Sequence, residues 1–122
     1  VKGIIDSEDL PLNVSRELLQ ENRILANIKQ NSVKKILGAI KKLDSEKMEI
    51  FTEQYNRVIK EGIYTDYTNK ETLLEIVRYK SSSEEGMVSL DDYISRGDSE
   101  KKEIYYIVGE DEKVLRNSPL LE

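Results

Sequence analysis

Apolar residues recur at three- and four-residue steps through Leu25, Ile28, Val33, Ile36, Leu37 and Ile40, the period of one helix face. The spacing predicts a helix that opens after Pro11, with Ser15 as its N-cap and Glu17 in its first turn, and that runs to about Leu43. The residue before Pro11 is barred from helical backbone, which sets the earliest start. Asp44 and Ser45 punctuate the pattern, and a second helix presents Met48, Phe51, Tyr55, Val58 and Ile59 before Gly62, a suitable C′ residue. Thr68 and Glu71 form a capping box ahead of Leu73, Leu74, Ile76 and Val77. "SSSEEG" is a loop by composition, and Ser89 with Asp92 repeats the capping logic before a short helix ending near Gly97. A last helix with an acidic start is expected over about 110–117. Only "VKGII" and "EIYYIVG" have the β-branched and aromatic character of strands. The expected class is therefore α+β, predominantly helical, with short strands near 1–5 and 103–108.

Those two strands lie far apart in sequence, and a lone pair is marginal in water. Ser118-Pro119 is a helix-start signal placed three residues from the last one, Glu122. Both features point to a piece of a longer protein, at a length suited to one domain or parts of two.

Composition removes several chemistries. With no cysteine and no histidine, the chain has no thiol nucleophile, no zinc-thiolate site and no imidazole base. The opening apolar run lacks the basic region and long apolar core of a signal peptide, and no stretch is long enough to span a bilayer. The net charge of −5 hides an asymmetry. Residues 22–43 hold six basic side chains (Arg23, Lys29, Lys34, Lys35, Lys41, Lys42) and no acid, whereas residues 84–112 hold ten acids against three basic residues. A basic helix beside an acidic end is no nucleic-acid footprint for the whole module. Asp6, Glu8 and Asp9 precede a turn and are read as solvated or paired with Arg16 or Arg23, so no metal is expected.

Arg16 and Gln20 in "SRELLQ" stand four residues apart where the first helix begins, so both project from one face, a turn apart. By residue chemistry alone the ordinary reading is a pair of surface side chains. The alternative is a bidentate cation and an amide waiting for an anionic ligand.

Wider stretches tip that balance. "GIIDSEDLPLNVSRELLQENRIL", "NKETLLEIVRYKSSS", "VSLDDYISR", "EIYYIVGE" and "NSPLLE", in this order and spanning essentially the whole chain, resemble the middle domain of the heat shock protein 90 family of chaperones. "IKEGIYTDYTNKE" is closest to bacterial and organellar members. Gly97 departs from the family pattern, where methionine is usual, and bears on local helix length. The resemblance implies parts of α/β/α layers. Residues 1–20 would end a large subdomain and carry its catalytic loop, 21–62 would form a helical connector, and 63–122 would begin a small subdomain whose first strand is "IYYIV".

The resemblance also implies that Arg16 and Gln20 reach the γ-phosphate of ATP, which is held with magnesium in a separate N-terminal domain. Asn13 and Ser15 would shape that loop. Implied partners are the N-terminal ATPase domain and C-terminal dimerisation domain of the same chain, client proteins, and an ATPase-stimulating co-chaperone, with neither nucleic acid nor membrane. The implied compartment is cytoplasmic or organellar, mitochondria included, and not secreted. The fragment alone would not be catalytic. The competing reading is a non-enzymatic helical interaction module whose basic helix binds acidic partners or a membrane surface. For "VKKILGAIKKL" itself, a core-packing helix with a lysine-rich outer face is the favoured reading. The tyrosines 64, 67, 79, 93, 105 and 106 are candidates for a client surface, several of them expected in the core or half-buried.

Overall fold

The computed structural model describes residues 2–6, 8, 23–98, 100 and 103–121. The chain divides into two compact units, residues 1–42 and 43–122. In the first unit, helix α1 spans Arg23–Lys41, and Leu37 is its buried residue. A turn closes it, Lys42 N–H donating to the Ala39 carbonyl at 3.2 Å.

The second unit begins with α2, Ser45–Thr65. Asp44 caps it, accepting from the Lys47 N–H at 2.9 Å and pairing with the Lys47 ammonium at 3.2 Å. Its buried stripe is Met48, Thr52, Asn56 and Ile59, which differs from the apolar stripe expected from sequence. Tyr55 and Val58 are exposed, and a hydroxyl and an amide occupy the inward positions instead. Nor does the helix stop at Gly62. It continues to Thr65, and the glycine instead gives room to a neighbour: a Cβ at 62 would lie 3.1 Å from Leu73 Cδ1.

Asp66 then opens a 3-10 turn, Tyr67–Asn69, accepting from both the Asn69 N–H at 3.2 Å and the Asn69 amide at 2.8 Å. This displaces the expected Thr68–Glu71 capping box, since an aspartate two residues earlier serves two donors at once. Helix α3, Lys70–Ile76, buries Leu73 and Ile76, and Val77, the next residue, is 0% exposed as the backbone turns extended. Burying side chains of this kind contributes roughly 1.5–3 kcal/mol each.

Strand β1, Arg78–Lys80, pairs antiparallel with β2, Met87–Ser89, in the register Arg78↔Ser89, Tyr79↔Val88 and Lys80↔Met87. The loop between them turns at Gly86, whose φ of 85° is a left-handed conformation that suits glycine. Ser89 ends β2 and caps α4, Leu90–Arg96, accepting from the Asp92 N–H at 3.1 Å as the sequence predicts. Helix α4 stops at Gly97 with φ −69°, so the departure from the family pattern imposes no glycine-only conformation there. Helix α5, Glu112–Arg116, is capped by Asp111, and a 3-10 turn, Pro119–Leu121, follows.

The class is α+β and predominantly helical, with a two-stranded antiparallel sheet. The strands, however, are not those expected. Residues 2–6 and 103–109 form no ladder among the described residues, and Ile4, Tyr106 and Val108 are largely exposed. Strand propensity needs a partner to become a strand, and the hairpin at 78–89 has one close in sequence.

Asn56 joins these elements. Its amide donates to the Arg78 carbonyl at 2.9 Å, and its carbonyl oxygen accepts from the Arg78 N–H at 3.0 Å. One helix side chain thus does what a neighbouring strand would do for Arg78. Truncation in Asn56→Ala leaves both Arg78 groups without this partner and should cost about 2–3 kcal/mol in urea unfolding. Asn56→Asp should be no better than alanine, because it keeps the acceptor but sets an anion against the Arg78 carbonyl.

Candidate functional site

Arg16, Gln20, Asn13 and Ser15, the site residues expected from sequence, lie outside the described residues. The next described element along the chain is the basic helix α1. At about 100° per residue, Arg23, Lys34 and Lys41 share one line along α1, with Lys35 roughly a third of a turn away. All four side chains are exposed.

In the second unit, cationic side chains gather at the hairpin. The Arg78 guanidinium Nη1 donates to the carbonyls of Glu75 (3.0 Å), Ile76 (2.7 Å) and Val77 (3.2 Å), covering the carbonyl end of α3. Glu112 of α5 accepts from the Lys80 ammonium of β1 and from Arg116 Nε at 2.9 Å. Arg116 continues to the carbonyls of Ser81 at 3.2 Å and Ser82 at 3.4 Å. Across the loop, Arg96 of α4 pairs with Glu84 and donates from Nε to the Asp92 carbonyl at 3.0 Å.

Two ionisations are shifted in this unit. Hydrogen bonds from Lys80 first and Arg116 second hold the Glu112 carboxyl below the usual carboxylate range. Burial first, and the neighbouring Tyr64 phenol second, push the Tyr79 hydroxyl up. The Lys60 ammonium lies 4.6 Å from the centre of the Tyr79 ring. Between α4 and residues 103–105 is a cleft of about 290 Å³, lined by Ser83, Tyr93, Ile94, Arg96, Glu103 and Tyr105 among others. The tyrosines expected in part as core lie mostly outside. Tyr64, Tyr67, Tyr105 and Tyr106 are exposed, Tyr79 sits at the edge of exposure, and only Tyr93 is half-buried.

The comparisons agree with the motif resemblance. The family described as "Hsp90 protein" matches residues 1–122, the whole chain. The chain belongs to the Hsp90 family. The protein named "Chaperone protein HtpG" of a Sulfurovum species is 97% identical over the whole chain, and those of Aliarcobacter butzleri and Treponema denticola are 71% and 57% identical over the whole chain. In each case the match covers 20% of the relative, so the chain spans about a fifth of the length of these curated Hsp90-family relatives. All three sources are bacterial, which supports the bacterial side of the bacterial-or-organellar resemblance. Among the described residues, no helix is long and apolar enough to cross a membrane.

Sequence reasoning missed Asn56, Arg78 and the Lys80–Glu112–Arg116 cluster. A signal existed for two of them. Asn56 falls on the helical period of Met48, Thr52 and Ile59, and Glu112 stands four residues before Arg116.

Because the folded Glu112 carboxyl is lowered, its contribution to holding α5 is present above the ordinary carboxylate pKa and lost as pH falls through the lowered value. A carbon-detected NMR titration should place its midpoint below that of an unpaired glutamate. Lys80→Gln, which removes the larger cause, should move it back up. An unmoved midpoint would mean that Lys80 does not set it.

Proposed function

We propose that this chain is the middle-domain segment of an ATP-driven chaperone, supplying Arg16 and Gln20 to the γ-phosphate of ATP held in a separate N-terminal domain. The observation that carries the reading is the match of the whole chain, "SRELLQ" motif included, to the Hsp90 family. The chemistry suits these residues. Phosphoryl transfer asks a protein mainly for positioning and for charge on the terminal phosphate. A guanidinium offers paired planar donors and stays protonated, whereas lysine is a point charge. Gln20, one turn on, adds a second donor, and the helix start adds a favourable partial charge for an anion. Asn13 and Ser15 shape the loop that aims them.

Magnesium and ATP belong to the neighbouring domain in this reading, so the chain alone neither binds nor hydrolyses nucleotide. Delivering the cation from another domain makes hydrolysis conditional on closure, which couples turnover to conformational change. Residues 1–20 then end a large α/β/α subdomain, 21–62 connect, and 63–122 begin a small one. The partners are the N-terminal and C-terminal domains of the same chain, client proteins and an ATPase-stimulating co-chaperone. The compartment is the bacterial cytoplasm.

A second reading keeps one observation in its favour, the exposed lysines along α1. On that reading the chain is an interaction module for acidic partners, and the two readings rank mutations in opposite order. In the full-length parent, Arg16→Ala should lower steady-state ATP turnover by roughly a hundredfold or more while ATP affinity is retained. Unchanged turnover in a folded Arg16→Ala protein would remove the catalytic assignment. Reversing charge at Lys34, Lys35, Lys41 and Lys42 should leave intrinsic turnover largely intact. Loss of function from that reversal alone would favour the interaction module.

A further inference from the structure

The chain contains two methionines and no cysteine, so Met48 and Met87 carry all of its sulfur. Their settings differ. Met48 lies on the inward stripe of α2 and is 9% exposed. Met87 opens β2 opposite Lys80, just after the loop, and is 44% exposed. Its thioether also meets the residue that ties helix to hairpin. Asn56 Nδ2 donates to Met87 Sδ at 3.8 Å and to the Arg78 carbonyl at 2.9 Å. A side-chain amide has two N–H groups, so each acceptor takes one.

The two acceptors are unequal. A thioether sulfur accepts weakly, so the amide stays with Arg78, where its carbonyl oxygen also takes the Arg78 N–H at 3.0 Å. Oxidation would reverse that ranking. A sulfoxide is polar and chiral, and its oxygen is a far stronger acceptor than the sulfur it replaces. At 3.8 Å between Sδ and Nδ2, an oxygen does not fit between the two atoms unless one of them moves. The amide is the freer partner to turn, and turning it withdraws both of its bonds from Arg78 at once.

From this geometry we propose that Met87 is a reversible oxidation site for hydrogen peroxide, and that its sulfoxide draws the Asn56 amide off Arg78 and loosens the α2–hairpin junction. In the forward step a lone pair of Sδ attacks one peroxide oxygen, an S–O bond forms and the O–O bond breaks. The departing hydroxide takes the proton left on the transferred oxygen and leaves as water. Sulfur is oxidised by two electrons and the peroxide is reduced by two. A dithiol-dependent methionine sulfoxide reductase supplies two electrons in return, releasing the oxygen as water and restoring the thioether. Met48 takes no part, because its burial on α2 keeps the oxidant from its sulfur.

Treating the full-length parent with hydrogen peroxide tests this, with peptide mass spectrometry for the sulfoxides and residue-resolved amide exchange for the junction. Met87 should oxidise about tenfold faster than Met48. The Arg78 amide, which loses its Asn56 acceptor, should then exchange about three- to tenfold faster. The Val77 amide, bonded to the Leu73 carbonyl at 2.9 Å, should not change. Methionine sulfoxide reductase with a dithiol should return Arg78 exchange to its starting rate. Met87→Leu keeps an apolar side chain of similar size and should show no peroxide-dependent rise at Arg78. The proposal is overturned if Met48 oxidises as fast as Met87, or if Arg78 exchange is unchanged once Met87 is oxidised. It is overturned equally if Val77 rises in step with Arg78, or if peroxide has the same effect in Met87→Leu.

Discussion

The second unit depends on a single amide. Asn56 sits on the inward face of α2 and bonds both backbone groups of Arg78, the first residue of β1. A polar side chain in that position is costly unless it is satisfied, and a strand edge facing a helix is costly for the same reason. Each cancels the other. Once Arg78 is held, its guanidinium reaches back to cover three carbonyls at the end of α3, and its register partner Ser89 is placed to cap α4. Helix, hairpin and helix are thus chained through successive backbone groups, with Ile76 and Val77 buried at the centre.

This explains which parts of the fold were legible in the sequence. The helices declared themselves through their period, and the Ser89 cap and the "SSSEEG" loop were readable from local chemistry, because each is satisfied within a few residues. Three features were not. Asn56 looks like an ordinary helix polar residue until the strand 22 residues away is known. Gly62 reads as a terminator, and only the proximity of Leu73 shows it as a point of close approach. "EIYYIVG" has stronger strand character than "RYK", yet "RYK" forms the ladder, since pairing geometry outranks propensity when a partner lies just across a short loop. Of the candidate site, Arg16 and Gln20 were named from a motif and a spacing and lie outside the described residues, while the polar cluster on the hairpin was legible only as one i, i+4 pair.

The two kinds of contact also respond differently to displacement. If ATP turnover is conditional on Arg16 arriving from this chain, the segments between the catalytic loop and distant surfaces have to transmit displacement without dissolving. Buried apolar contacts and fully paired backbone groups do this well, because a packed core is resistant to gradual deformation. Solvated ion pairs do the opposite: they hold a position firmly enough to define it and give way at little cost.

That contrast is written along the chain. The buried apolar side chains end at Val88, and beyond it the described contacts between elements pass to carboxylates and guanidinium groups. The same stretch carries the acidic excess of residues 84–112, and Arg96 in α4, Arg116 in α5 and Lys80 in the hairpin each engage a carboxylate or carbonyl there. Unpaired negative charge favours spreading the segment apart, and these three cations oppose it. The side-chain bonds described between α5 and the hairpin are therefore charged, whereas the helical core upstream is held by shape.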